Sequence, residues 1–120
     1  MPGRILVVDD SPHFRRTAAK LLAIRGLKPF NLVAGGDEAL AVTDGDCPDG
    51  VLLDINLEGR DGFEVAAALS RRCPTVAIVL MSSDIDEVES SQLQRCGATA
   101  FVAKTELAST DLVLLFGRHD

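Results

Sequence analysis

The 120-residue chain reads as an α/β domain: a parallel sheet with helices on both faces, built from five strand-then-helix units. Three observations predict this. The apolar runs Ile5-Leu6-Val7-Val8, Val51-Leu52-Leu53 and residues 76–81 are continuous rather than alternating, as in strands buried on both faces. Each run stops at a polar residue: Asp9, Asp54 or Ser82. The stretches between them carry apolar residues at helical spacing, punctuated by glycine and proline.

Residues 4–8 form the first strand. Ser11-Pro12 then reads as a helix start, with Ser11 capping and Pro12 at the first helical position. Phe14, Ala18, Leu21 and Leu22 give this helix one apolar stripe, and Gly26 ends it. Residues 27–33 are a weaker strand. Pro29 within it cannot donate to a ladder, which places it at a sheet edge. A short helix at 37–43 packs Ala39, Leu40 and Val42, and a polar turn leads to strand 51–54. Residues 63–72 are helical with Phe63, Ala66, Ala67 and Leu69 inward, stopped by Cys73-Pro74. Residues 75–81 are the clearest strand. The helix at 84–95 opens with Asp84, Asp86, Glu87 and Glu89, which complement its dipole. Its apolar stripe, Ile85, Val88 and Leu93, is thin. Strand 100–103 ends at Lys104, and a final helix over 109–116 turns Leu112, Leu115 and Phe116 inward, with Gly117 just past its end. Right-handed crossovers leave few topologies, and an edge position for strand 2 favours the order 2-1-3-4-5, known for sheets of this class.

The bulk properties narrow the function. One domain, residues 1–120, fills the chain, with no output domain expected after Asp120. The longest apolar run, residues 76–81, is far short of the roughly 20 residues a membrane span needs, and MPGRILVVDD lacks the features of a signal peptide. The expectation is a cytoplasmic protein with no membrane partner. A net charge of −6 argues against a nucleic-acid surface, so a DNA-directed output would lie on another chain. Cys47, Cys73 and Cys96 are odd in number, widely spaced and without a CxxC, so they read as thiols rather than as a disulfide framework or zinc site.

In the order 2-1-3-4-5, the C-terminal ends of strands 1, 3, 4 and 5 lie side by side, where parallel sheets place their chemistry. Those ends are Asp9-Asp10, Asp54, Ser82 and Lys104. Singly, each reads as an ordinary cap or surface residue. Together they make three carboxylates, a hydroxyl and an ammonium, and the carboxylates would repel by about a few kcal/mol per pair unless a cation joined them. Hard oxygen ligands with open positions suit Mg²⁺. A carboxylate can accept a phosphoryl group, and phosphoryl transfer needs charge neutralisation and positioning above all.

Over essentially its whole length the chain resembles the receiver domains of two-component response regulators. The resemblance rests on VVDD (7–10), LLDINLEGRDG (52–62), LMSS (80–83), Gly97-Ala98 and FVAK (101–104). It implies a flavodoxin-like fold and a phospho-aspartate switch charged by a sensor histidine kinase or phosphotransfer protein. Asp54 is then the phosphoacceptor. Asp10 is the main Mg²⁺ ligand, with Asp54 itself and the Asn56 backbone carbonyl completing the set and Asp9 acting through water. Ser82 is the switch hydroxyl, Lys104 pairs with the phosphate, and Phe101 is the aromatic that follows Ser82. Asn56 and Asp84 lie where the family tunes dephosphorylation. His13, Arg16 and Thr105 are candidate kinase contacts, and the signal passes by binding an unidentified downstream protein. Such a chain catalyses only its own phosphorylation and dephosphorylation. Two residues depart from the pattern: Thr105 follows the lysine where the family usually has proline, commonly after a cis bond, and Glu58 replaces a common loop proline. The last helix is also short.

Other readings fare worse. An aspartyl-phosphate phosphatase would resemble D-x-D, whereas Asp9 and Asp10 are adjacent. A flavin-binding module would want a strand-1 phosphate loop and an aromatic stack, and the chain has neither Trp nor Tyr. A degenerate receiver acting as a phosphorylation-independent interaction module is the alternative that remains.

Overall fold

A computed structural model describes residues 3–57, 59–83 and 90–116. The elements are β1 (Arg4–Val8), α1 (Pro12–Ile24), β2 (Lys28–Val33), α2 (Gly36–Val42), β3 (Gly50–Asp54), α3 (Gly62–Arg72), β4 (Ala77–Ser82), α4 (Ser90–Cys96) and β5 (Ala100–Ala103). A 3₁₀ helix, Lys104–Ser109, follows β5, and α5 spans Leu112–Phe116. The five strands form one parallel sheet in the order β2-β1-β3-β4-β5, as the edge argument from Pro29 requires. Pro29 leaves a further mark: the β1–β2 register slips between Ile5 and Leu6, so that Ile5 faces Pro29 but Leu6 faces Asn31.

Alternate residues of the central strands feed two cores. Ile5, Val7, Leu52, Val79 and Met81 pack with Ala18 and Leu22 of α1, Leu107 of the 3₁₀ helix, and Leu112 and Phe116 of α5. Leu6, Val8, Val51, Leu53, Ile78 and Leu80 pack on the other face with Ala39 of α2, Val65, Ala66 and Leu69 of α3, and Cys96 of α4. Every one of these residues is buried, which is why the strands read as unbroken apolar runs. Burial of this kind stabilises by about 25 cal/mol per Å² of apolar surface, so the core strands dominate the energetics.

Several expectations need correcting. The fourth strand starts at Ala77 and includes Ser82, because the chain after Cys73 turns, with Val76 N–H bonding Cys73 O at 3.0 Å. In α3, Val65 is buried while Phe63 and Ala67 are only half-buried, so the apolar face is rotated from the one expected. The final segment is not one helix from Ser109: a 3₁₀ turn buries Leu107 first, and α5 begins at Leu112. The Lys104–Thr105 bond is trans, no described peptide bond being cis. Expectations for Glu58, for residues 84–89 (Asp84, Ile85 and Val88 among them) and for Gly117 fall outside the described residues.

The cysteines depart furthest from expectation. Cys47 and Cys73 are joined in a disulfide, with Cα atoms 5.8 Å apart, and Cys96 is the buried free thiol. The reason is topological. Cys47 precedes β3 and Cys73 follows α3, so the crossover returns the chain to the N-terminal end of the sheet beside its own starting point. In the oxidised protein, closing a loop across a sequence separation of 26 should stabilise the fold by about 3 kcal/mol. Urea unfolding with and without reductant checks this: the midpoint should fall on reduction in the wild type and not respond in Cys47→Ser. Equal midpoints for oxidised and reduced wild type would refute it.

Candidate functional site

Strand register builds the site. Val8 of β1 faces Leu53 of β3, Leu53 faces Leu80 of β4, and Leu80 faces Phe101 of β5. One step further on, Asp9 and Asp54 stand side by side at the C-terminal edge of the sheet. Two steps beyond, Lys104 leaves β5. Asp9 is fully buried and Asp54 is 4% exposed, whereas Asp10 is exposed. Oxygens of all three carboxylates lie within 4.8 Å of one another.

The local backbone holds these acids in place. Asp9 Oδ1 accepts the Ser11 N–H at 2.9 Å, and Ser11 Oγ in turn accepts the Phe14 N–H at 3.2 Å, capping α1. Arg15 Nη1 donates to the Asp9 carbonyl at 2.6 Å, tying α1 to the end of β1. Asp54 Oδ1 accepts the Asn56 N–H at 2.8 Å, which fixes the carboxylate's rotation. The loop after Asp54 must then double back sharply. Gly62 allows this: a Cβ there would run into the Ile55 backbone and come within 2.8 Å of the Asp54 carbonyl oxygen. No larger residue fits without shifting the site.

The charge balance rests on Lys104, whose side chain is 13% exposed. Its Nζ donates to Asp54 Oδ2 at 3.0 Å and lies 2.6 Å from Asp9 Oδ2. The second contact is short but poorly directed, leaving Asp9 Oδ2 buried without a well-aligned hydrogen bond. Burial alone would lower the Lys104 pKa. Pairing with Asp9 and Asp54 outweighs it, and the net direction is upward from 10.5. The ammonium also sits 4.5 Å from the centroid of the Phe14 ring.

Ser82 is buried at the end of β4, and its hydroxyl accepts from Asn56 Nδ2 at 3.3 Å. Strand alternation turns it toward the α2–α3–α4 face, where half-buried Phe101 also packs. The structure thus gathers Asp9, Asp10, Asp54, Asn56, Ser82 and Lys104 at one end of the sheet. Phe101 stands behind Ser82 on β5, and Asp84 falls outside the described residues. Phe14 and Arg15 were not anticipated. Phe14 read as one more member of an apolar stripe, and its only positional signal was its place in the first turn after the paired acids.

The carboxylates and the incompletely satisfied Asp9 Oδ2 make an all-oxygen donor set that fits a hard divalent cation such as Mg²⁺. Comparison with known proteins agrees with this chemistry. Residues 5–114 match the family model for the response regulator receiver domain. The chain is 38% identical over 98 residues to the positive alginate biosynthesis regulatory protein of Pseudomonas aeruginosa, covering 78% of the chain and 39% of that protein. It is 33% identical over 123 residues to the probable transcriptional regulatory protein NarL of Mycobacterium tuberculosis, covering 96% of the chain and 56% of that protein. The chain therefore spans well under two thirds of the length of these relatives. The signal receiver domain of the putative response regulator NarL from Mycobacterium tuberculosis superposes with a TM-score of 0.74 at 28% identity, over 98% of each chain. Signalling by phosphorylation is general in this family, and its members bind Mg²⁺ at an acidic pocket. A parallel sheet in the order 2-1-3-4-5, with acids and a lysine meeting at its C-terminal edge, and a family match over nearly the whole chain place this protein among the receiver domains of two-component response regulators.

Proposed function

We propose that Asp54 accepts a phosphoryl group from a sensor histidine kinase or a phosphotransfer protein, and that the resulting change is read by a second protein. One observation carries this: a single ammonium, Lys104, bridges two buried carboxylates at adjoining strand ends, at 2.6 and 3.0 Å. An Asp54 oxygen attacks phosphorus, the new O–P bond forms as the donor's P–N bond breaks, and the imidazole leaves. Asn56 N–H holds Oδ1 and so orients the attacking group. Lys104, charged at any physiological pH, passes from the carboxylates to a phosphoryl oxygen. Asp10, Asp54 and the Asn56 carbonyl would hold Mg²⁺, with Asp9 acting through water, and the ion would neutralise the phosphoryl oxygens.

The readout starts at Ser82. Its hydroxyl gives up the Asn56 amide and turns to a phosphoryl oxygen, vacating space on the face where Phe101 packs. The phosphoryl group shifts the population because it bonds one Ser82 rotamer and not the other. His13, Arg16 and Thr105, all exposed, are the proposed kinase contacts. Residues 1–120 act as one receiver unit signalling by protein–protein contact, with catalysis limited to its own phosphorylation and dephosphorylation. The proposed setting is cytoplasmic, where Cys47 and Cys73 would be held as a dithiol.

Incubation with Mg²⁺ and phosphoramidate, followed by intact mass measurement, tests the reading. Wild type should gain one phosphoryl group and Asp54→Asn none, and a chelator should abolish the gain. No gain under conditions that label another receiver would point instead to a phosphorylation-independent interaction module. The exposed Asn56 amide two residues past the acceptor, with Asp84 as its proposed partner in tuning, should give a phospho-form lasting minutes or less; persistence for many hours in Mg²⁺ buffer would rule that out.

Lys104 gives a pH signature. Since its folded pKa lies above 10.5, its stabilisation is fully present below that value and lost as pH rises through the folded one. Breaking the partly buried pairing in Lys104→Met should cost up to about 3 kcal/mol in Mg²⁺-free buffer at neutral pH. By urea titration, the gap between wild type and variant should hold to about pH 10 and narrow above it. A gap unchanged up to the most alkaline pH would contradict the assignment.

A further inference from the structure

We infer that Phe14 is a positioning residue for phosphoryl transfer: its ring face retains the Lys104 ammonium beside Asp54 while the lysine exchanges its carboxylate partners. This rests on the phosphoacceptor reading of Asp54.

Among the described residues, Lys104 has three neighbours of consequence: Asp9 Oδ2 at 2.6 Å, Asp54 Oδ2 at 3.0 Å and the Phe14 ring centroid at 4.5 Å. Two of these change during the chemistry. Asp54 ceases to be a free carboxylate once phosphorylated, and Asp9 belongs to the acidic cluster that fits a divalent cation. The ring changes in neither respect. It attracts an ammonium through its quadrupole, takes no proton and offers a metal nothing. Among the described residues, it is thus the partner the lysine keeps throughout.

The ring is also well anchored. Phe14 N–H bonds the capping Ser11 Oγ, Ser11 N–H bonds Asp9 Oδ1, and Arg15 next in sequence donates to the Asp9 carbonyl. The ring is thereby pinned to the same strand end that carries Asp9, and it packs on the core that contains Leu107, three residues after Lys104. The lysine itself is a flexible four-carbon stem on a trans peptide, followed by threonine at the start of a 3₁₀ turn. With its side chain 13% exposed, the ammonium lies in surroundings where attraction to a ring exceeds that at an open surface.

Substitution separates this role from packing. Phe14→Leu keeps an apolar side chain and removes the ring face; Phe14→Tyr keeps the face, and its half-buried site lets the hydroxyl reach water. Rates of labelling by phosphoramidate with Mg²⁺ avoid any effect on kinase docking. Labelling should slow about three- to thirtyfold in Phe14→Leu and recover in Phe14→Tyr. In NMR spectra, the Lys104 ε-methylene protons should be shifted upfield by the ring in wild type and Phe14→Tyr, and return toward ordinary lysine values in Phe14→Leu. A Leu variant that labels at the wild-type rate, or Leu and Tyr variants that are equally slow, overturns the inference while leaving Asp54 as acceptor. A wild type that takes no phosphoryl group removes the acceptor reading, and the positioning role falls with it. In that case the methylene shift still reports whether the contact exists.

Discussion

The ammonium of Lys104 is the interaction on which the rest of the structure depends. Parallel pairing of β1 with β3 sets Asp9 beside Asp54, and both are buried. Carboxylate oxygens within 4.8 Å of one another repel by about a few kcal/mol at an effective dielectric near 20. A domain whose net stability is of order 5–15 kcal/mol cannot carry that uncompensated without losing much of its margin. The compensating charge comes from across the sheet, from Lys104 after β5, with β4 lying between β3 and β5. A long side chain two positions past the β5 register can make that reach. The short strand β5 and the 3₁₀ turn that follows it are therefore part of the site.

The sheet also divides the labour between its faces. Asp9, Asp54 and Lys104 share the alternation of Val7, Leu52 and Met81, on the side of α1 and α5, where Phe14 lies. Ser82 shares the alternation of Leu80 and looks toward α3 and α4, where Phe101 packs. Asn56 touches both arrangements, its N–H on the Asp54 carboxylate and its amide on the Ser82 hydroxyl. Asn56 thus links the acid on one face to the hydroxyl on the other by hydrogen bonds.

This division explains what could be read from sequence. The strands were legible because burial on both faces demands unbroken apolar runs, and the site because its members are the polar residues that end those runs. The helices were less so. Val65 was missed because Phe63 and Ala67 compete for the same stripe in α3, and tertiary packing decides which face turns inward. The last helix was drawn as one piece because nothing in Thr105–Glu106 marks a 3₁₀ turn that buries Leu107. Cys47 and Cys73 looked unrelated because only the return of the β3–α3 crossover brings them together. Phe14 looked like core because an aromatic on an apolar stripe does not reveal whether a cation lies over its edge or face.

The two ends of the sheet carry opposite burdens. At the N-terminal end, the Arg4 backbone N–H bond to Asp49 Oδ2 at 2.7 Å ties β1 to the segment before β3, and in the oxidised protein the disulfide joins that segment to the end of α3. At the C-terminal end, the structure keeps an arrangement that a purely stable protein would replace, since apolar residues commonly stabilise as well as a buried ion pair or better. Retaining the acids there costs stability, and the proposed phosphorylation of Asp54 would overturn the charge balance they set up. Lys104 pairs with both acids while its ammonium also lies over the Phe14 ring. On the proposed phosphorylation of Asp54 the carboxylate contacts would change while the ring contact would stay. A charge held, among the described residues, by three partners of which two are replaceable could be redirected without being released, as the proposed switch at Asp54 requires.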